Sequence, residues 1–162
     1  ILEKSNYDGK DLFNAIRLRT EFYKLAIKID SENYFALEQL GNLYLSIDDY
    51  PKAKDCFLKS LEINPKFSTT RVLLAETFLR LGQLSLALDE IEKVDLTENI
   101  NVEKLNILGI RAKIKQFMGD LDGADLDYGI ADEIISSNDE PTHLDDGLYA
   151  GWYLLQDSAL YQ

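Results

Sequence analysis

A chain of 162 residues with 46% hydrophobic content carries enough apolar material for one domain. Its 17 basic and 29 acidic residues leave a formal net charge of −12, which argues against a nucleic-acid backbone or an anionic membrane as partner, because both need clustered Lys and Arg. A single cysteine, Cys56, rules out an internal disulfide.

Residues 1–33 read as a polar start followed by a helix that acts as a half repeat or cap. Asp8-Gly9 is a turn signal, and Lys10–Ile29 carries Leu12, Ile16, Arg19, Tyr23 and Ala26 at helical spacing. Ser31-Glu32-Asn33 offers side-chain caps to the next helix. In residues 34–67, Leu37, Leu40, Tyr44 and Leu45 fall on one helical face up to Ser46. The pattern breaks at Ile47–Tyr50, and Pro51 stands where a helix's first turn tolerates its missing N–H. A second amphipathic run, Ala53, Phe57, Leu58 and Leu61, ends at Asn64-Pro65. Two helices joined so briefly lie antiparallel, with Gly41 and Ala53 as the small residues that let the backbones approach.

The pattern recurs over 68–101. Leu40, Gly41, Tyr44, Ala53 and Phe57 map to Leu74, Ala75, Phe78, Ala87 and Ile91, with Leu81-Gly82-Gln83 as the turn. Asp95–Asn101 is a polar linker that absorbs a small shift of phase. Over 102–138 the copy is degenerate: Leu108, Ala112, Ala124 and Tyr128 keep the pattern and Gly119 aligns with Gly82, but Arg111 and Lys115 replace Leu40 and Tyr44. Pro141 opens a last helix over 139–162 whose Leu144, Leu148, Trp152, Leu155 and Ala159 form an apolar stripe, read as a terminal cap.

A recurring period of this length is the signature of a repeat architecture. Leu37, Leu40, Gly41, Tyr44, Ala53, Phe57, Ser60 and Pro65 resemble the pattern of the tetratricopeptide repeat (TPR) family, with Leu37 for the usual Trp and Ser60 for the usual Ala. The resemblance implies an all-α, right-handed superhelical solenoid of antiparallel helix pairs. It also implies a concave groove, lined by the first helix of each pair, that holds an extended peptide or a partner helix. The inward positions are Phe35, Glu38, Asn42 and Leu45 in the first copy, Thr69, Val72, Glu76 and Leu79 in the second, and Asn106, Gly109, Lys113 and Gln116 in the third.

The expected function is a non-catalytic protein–protein interaction scaffold whose partner segment is neutral to basic with a few apolar anchors. The alternative is a structural or self-assembly module that packs through its end faces. Co-chaperone members of the family grip a C-terminal carboxylate with lysines, asparagines and an arginine. Asn42 fits one clamp position, but Glu38, Leu73, Asn106 and Ile110 stand at the others, so a chaperone tail is not the expected ligand.

No sequence feature points to an enzyme, a cofactor or a metal. The lone His143 reads as a surface residue at a helix start. Asp120-Leu121-Asp122-Gly123 lacks the glutamate-terminated spacing of a calcium loop and is explained as a turn. The cysteine usage fits a reducing, cytoplasmic compartment. The start at Ile1 keeps a periplasmic or extracellular setting open.

Overall fold

The computed structural model describes residues 9–98 and 101–137. The polar start at 1–8 and the helix expected over 139–162, with its His143 and Trp152, lie outside the described residues. Among these residues the chain is all helix: α1 (Gly9–Ile29), α2 (Tyr34–Ser46), α3 (Tyr50–Ile63), α4 (Ser68–Arg80), α5 (Leu84–Glu92), α6 (Asn101–Met118) and α7 (Leu121–Ser137). The expected polar linker contains a short 3-10 turn, Leu96–Glu98, started by Asp95, whose Oδ1 accepts from the Thr97 N–H at 2.8 Å. The chain divides into two compact units that part between Gln83 and Leu84.

In the N-terminal unit α1 packs on α2, α2 pairs with α3, α3 packs on α4, and α2 touches α4. Asn33 starts α2 by accepting from the Ala36 N–H at 2.9 Å, which satisfies one of the free donors of a first turn. Asp49 starts α3 with its carboxylate toward the Lys52 N–H, and Pro51 follows in the first turn. Leu37, Leu40, Ala53 and Phe57 are buried. A Cβ on Gly41 would stand 2.6 Å from Phe57 Cε1, so the missing side chain at this position is what admits the ring. Ser60, in place of the repeat's usual Ala, is fully buried, and its hydroxyl donates to the Tyr34 carbonyl at 2.9 Å, tying α3 to the start of α2.

The C-terminal unit packs α5 on α6 and α6 on α7. Its core is Leu108, Ala112, Ala124, Tyr128 and Ala131, flanked by Leu105, Ile130, Ile134 and Ile135.

Three turns show the repeat in backbone geometry. The N–H groups of Asp49, Gln83 and Asp120 donate to the carbonyls of Tyr44, Phe78 and Lys115, each at 2.9 Å. One residue earlier, Asp48, Gly82 and Gly119 donate to Leu45, Leu79 and Gln116 at 3.0–3.1 Å. This paired ending requires a left-handed residue just past the helix. Gly82 and Gly119 supply it at φ +71 and +84°, whereas the first copy uses Asp48 at +60°. Asp49 and Asp120 then cap α3 and α7, with Asp120 Oδ1 accepting from the Gly123 N–H at 3.0 Å. The acidic stretch at 120–123 is thus a helix start.

Candidate partner-binding surface

Helical periodicity sets Phe35, Glu38, Asn42 and Leu45 along one face of α2, and Thr69, Val72, Glu76 and Leu79 along the matching face of α4. These positions divide by burial. Phe35 is 55% exposed, Asn42 and Thr69 are open to solvent, and Leu45, Glu76 and Leu79 are half-buried. Glu38 and Val72 are not on the surface, at 3% and 8% exposure.

Glu38 is buried because it is a tie between helices. Its Oε2 accepts from the Thr70 hydroxyl at 2.7 Å, and its Oε1 accepts from the Gln39 side-chain amide at 3.1 Å. Thr70 is itself fully buried. A buried carboxylate is tolerable only with its oxygens hydrogen-bonded, so this contact fixes the spacing of α2 and α4. It leaves Phe35 and Asn42 on α2, with Thr69 and Leu79 on α4, as the available chemistry: a ring, an amide that both donates and accepts, a hydroxyl and an aliphatic edge. Glu76 is paired with Arg80 at 3.4 Å on the same helix.

In the C-terminal unit the corresponding α6 positions again split. Asn106 is exposed, Gly109 is buried, and Lys113 and Gln116 are half-buried. Gln116 Oε1 accepts from the Tyr128 hydroxyl at 3.2 Å, so it serves the hairpin's interior as well. Burial pushes the Tyr128 pKa up, with Asp125 and Asp127 adding to the effect.

Sequence reasoning left the two cations of this copy unexplained. Arg111 and Lys115 converge on Asp127 of α7, which is 1% exposed. Arg111 Nε donates to Oδ2 at 2.9 Å and Nη2 to Oδ1 at 2.5 Å, while Lys115 Nζ lies 2.9 Å from Oδ2. Lys115 also donates to the Gly123 carbonyl at 3.3 Å. The degenerate copy has therefore exchanged two apolar core positions for a three-membered ion cluster. The signal was present: two cations four residues apart on a core face require an acid opposite them.

Cys56 is half-buried beside Phe57, and burial raises its thiol pKa to about 11. A thiol held protonated is not an activated nucleophile. Among the described residues no helix is long and apolar enough to cross a membrane.

Comparison with known proteins places this geometry. Residues 34–67 match the family model of the tetratricopeptide repeat. No curated protein matches the chain. A solved structure of MamA is 21% identical with a TM-score of 0.67, covering 94% of this chain and 84% of that one. YrrB, described as a TPR protein with an unusual peptide-binding site, is 25% identical with a TM-score of 0.61, covering 91% and 78%. The first TPR of Spaghetti (RPAP3), solved bound to the HSP90 peptide SRMEEVD, is 19% identical with a TM-score of 0.58, covering 80% and 94%. Residues 34–67 are a tetratricopeptide repeat, and the chain has the all-α helical-repeat solenoid fold of the TPR proteins.

Proposed function

We propose that the chain is a non-catalytic interaction scaffold that captures an extended or helical segment of another protein on the face shared by α2 and α4. The observation that carries this reading is the exposed Phe35 ring on the same face as Asn42, two turns along a helix whose spacing from α4 is held by the buried Glu38–Thr70 hydrogen bond. A rigid pair of helices with an aromatic anchor and a bidentate amide fits the way interfaces concentrate binding energy in a few residues. The peptide-binding site described for YrrB and the HSP90 peptide bound to RPAP3 lend support by analogy of fold alone.

The preferred segment is neutral to basic with apolar anchors. An acidic carboxylate tail of the chaperone type is disfavoured, because Glu38 and Leu73, the positions on α2 and α4 that would clamp such a tail, offer no cation. Phage-displayed random peptides selected on the wild type test the idea, with Phe35→Asp/Asn42→Arg as the counter-screen. Both substitutions sit at exposed positions and should leave the helical circular dichroism intact. Selected peptides that bind the wild type and lose at least tenfold in affinity on the variant support the reading. Peptides that bind both equally refute it.

A further inference from the structure

The charge of this protein is unevenly distributed. Residues 1–83 hold twelve basic and twelve acidic groups; residues 84–162 hold five basic and seventeen acidic. The whole formal excess of −12 therefore belongs to the C-terminal unit. Against this, α1 carries five basic residues and two acidic.

The basic helix also carries an unpartnered apolar ridge. Leu18, Phe22, Leu25 and Ile29 recur at four, three and four residues, the spacing of a coiled-coil seam, and are 73, 66, 54 and 79% exposed. The opposite face, with Ile16, Tyr23, Ala26 and Ile27, is half-buried where α1 packs on α2. Beside the apolar ridge runs a second one, Arg17, Lys24 and Lys28, each one residue before a member of the first. Lys24 is paired with Glu21 at 3.1 Å, but Arg17 and Lys28 have no ion pair among the described residues.

The C-terminal unit presents the counterpart at the corner between α6 and α7. Phe117, Met118, Leu121 and Leu126 are 60, 45, 62 and 64% exposed. Asp120, Asp122 and Asp125 are interleaved with them and also exposed. Large apolar side chains left open in this way mark interaction sites. One surface is apolar and cationic, the other apolar and anionic. A pair of α1 helices would instead set two cationic ridges against each other, which opposes self-pairing of that helix.

We infer that α1 of one copy docks on the acidic apolar corner at 117–126 of a second copy of this chain. This is a self-association surface separate from the α2 and α4 face. The contact is heterologous, so each added copy leaves a free α1 and a free corner, and growth continues past the dimer unless a ring closes. Four apolar side chains on each side make a small interface, and the association is weak and salt-sensitive.

Sedimentation equilibrium of the full chain from about 5 to 500 μM, in 50 and 500 mM NaCl, tests this. At low salt the weight-average mass should rise with concentration above the 18.5 kDa of one chain, and high salt should weaken association at least tenfold. Arg17→Glu/Lys28→Glu should weaken it at least tenfold, and so should Asp122→Lys/Asp125→Lys, each with an unchanged melting temperature. The four-fold variant that combines both reversals should regain association. A wild type that stays monomeric at 500 μM and low salt overturns the inference. So does association that survives either reversal, which would indicate a contact without this charge pairing. A partner for the α2 and α4 face can fail to appear without affecting these outcomes, since that face plays no part in them.

Discussion

Adding one methyl group at Gly41 tests how tightly α2 is pressed on α3. The new Cβ would lie 2.6 Å from Phe57 Cε1 and 2.9 Å from Cδ1, both shorter than carbon–carbon contact allows, and 3.0 Å from Cζ, tighter than ordinary contact. Phe57 is fully buried, so its ring cannot retreat into solvent. Two effects oppose each other in Gly41→Ala. Removing a mid-helix glycine stabilises by about 1 kcal/mol, and overpacking a filled core costs about 1–3 kcal/mol. The net expectation is a loss of about 1 kcal/mol, or about 2–4 °C in melting temperature for a chain of 162 residues. In a Phe57→Ile background the ring is gone, only the propensity gain remains, and Gly41→Ala should stabilise by about 1 kcal/mol. That double variant has the pairing of the second copy, Ala75 with Ile91. Urea and thermal unfolding of the four proteins, followed by far-ultraviolet circular dichroism, closes the cycle with a coupling of about 2 kcal/mol. The reasoning fails if Gly41→Ala stabilises the wild type, or if the two substitutions are additive within about 0.5 kcal/mol. Register alone does not dictate the clash, because Ala112 and Tyr128 share one core in the third copy. The prediction rests on the distance in this hairpin.

Three further outcomes follow from the turns and the buried groups. Asp127→Ala should cost about 3 kcal/mol, because it strands Arg111 and Lys115 with only 18 and 15% of their side chains exposed. The apolar triple Arg111→Leu/Lys115→Tyr/Asp127→Ala should recover that loss to within about 1 kcal/mol in urea unfolding. Asp48→Gly should stabilise by about 0.5–1 kcal/mol, since it relieves a left-handed φ of +60° that its counterparts Gly82 and Gly119 adopt freely; a drop in stability would show that the Tyr50 hydroxyl's bond to Asp48 outweighs the strain. For Cys56, burial lifts the folded pKa from 9.0 to about 11, so its contribution to stability is complete below pH 9 and is lost as the pH rises through 11. Alkylation by iodoacetamide should show a titration midpoint near 11 in the folded chain, and a midpoint near 9 would contradict the observed burial.

The helices were legible because their signals are local. Pro51, the Asn33 cap and the Gly82 and Gly119 turns each announce a boundary within a few residues, and α2 to α4 begin and end within a residue or two of expectation. The small positions were legible too, since Gly41, Ala53, Ala75, Ala87, Ala112 and Ala124 are all buried as the recurring pattern requires. Burial at the presumed binding face was not. Glu38 and Val72 share helical faces with exposed residues, and only the placement of Thr70, 32 positions from Glu38, shows that the carboxylate is internal. The ion cluster was hidden for the same reason, as Asp127 lies sixteen residues from Arg111 on another helix. Neighbours in space but distant in sequence decide these residues, and a one-dimensional period does not report them.

The residue whose N–H closes α2 is also the one whose side chain opens α3, and Asp120 does the same between α6 and α7. Such a corner has no spare link. One extra amino acid there would rotate the second helix by about 100° about its own axis and swing Phe57 or Tyr128 out of the interior. The joints between copies carry no such double duty, so added length is accommodated there at lower cost. The joint with the 3-10 turn Leu96–Glu98 is such a place, since a longer link there leaves the pairing of α6 with α7 unchanged.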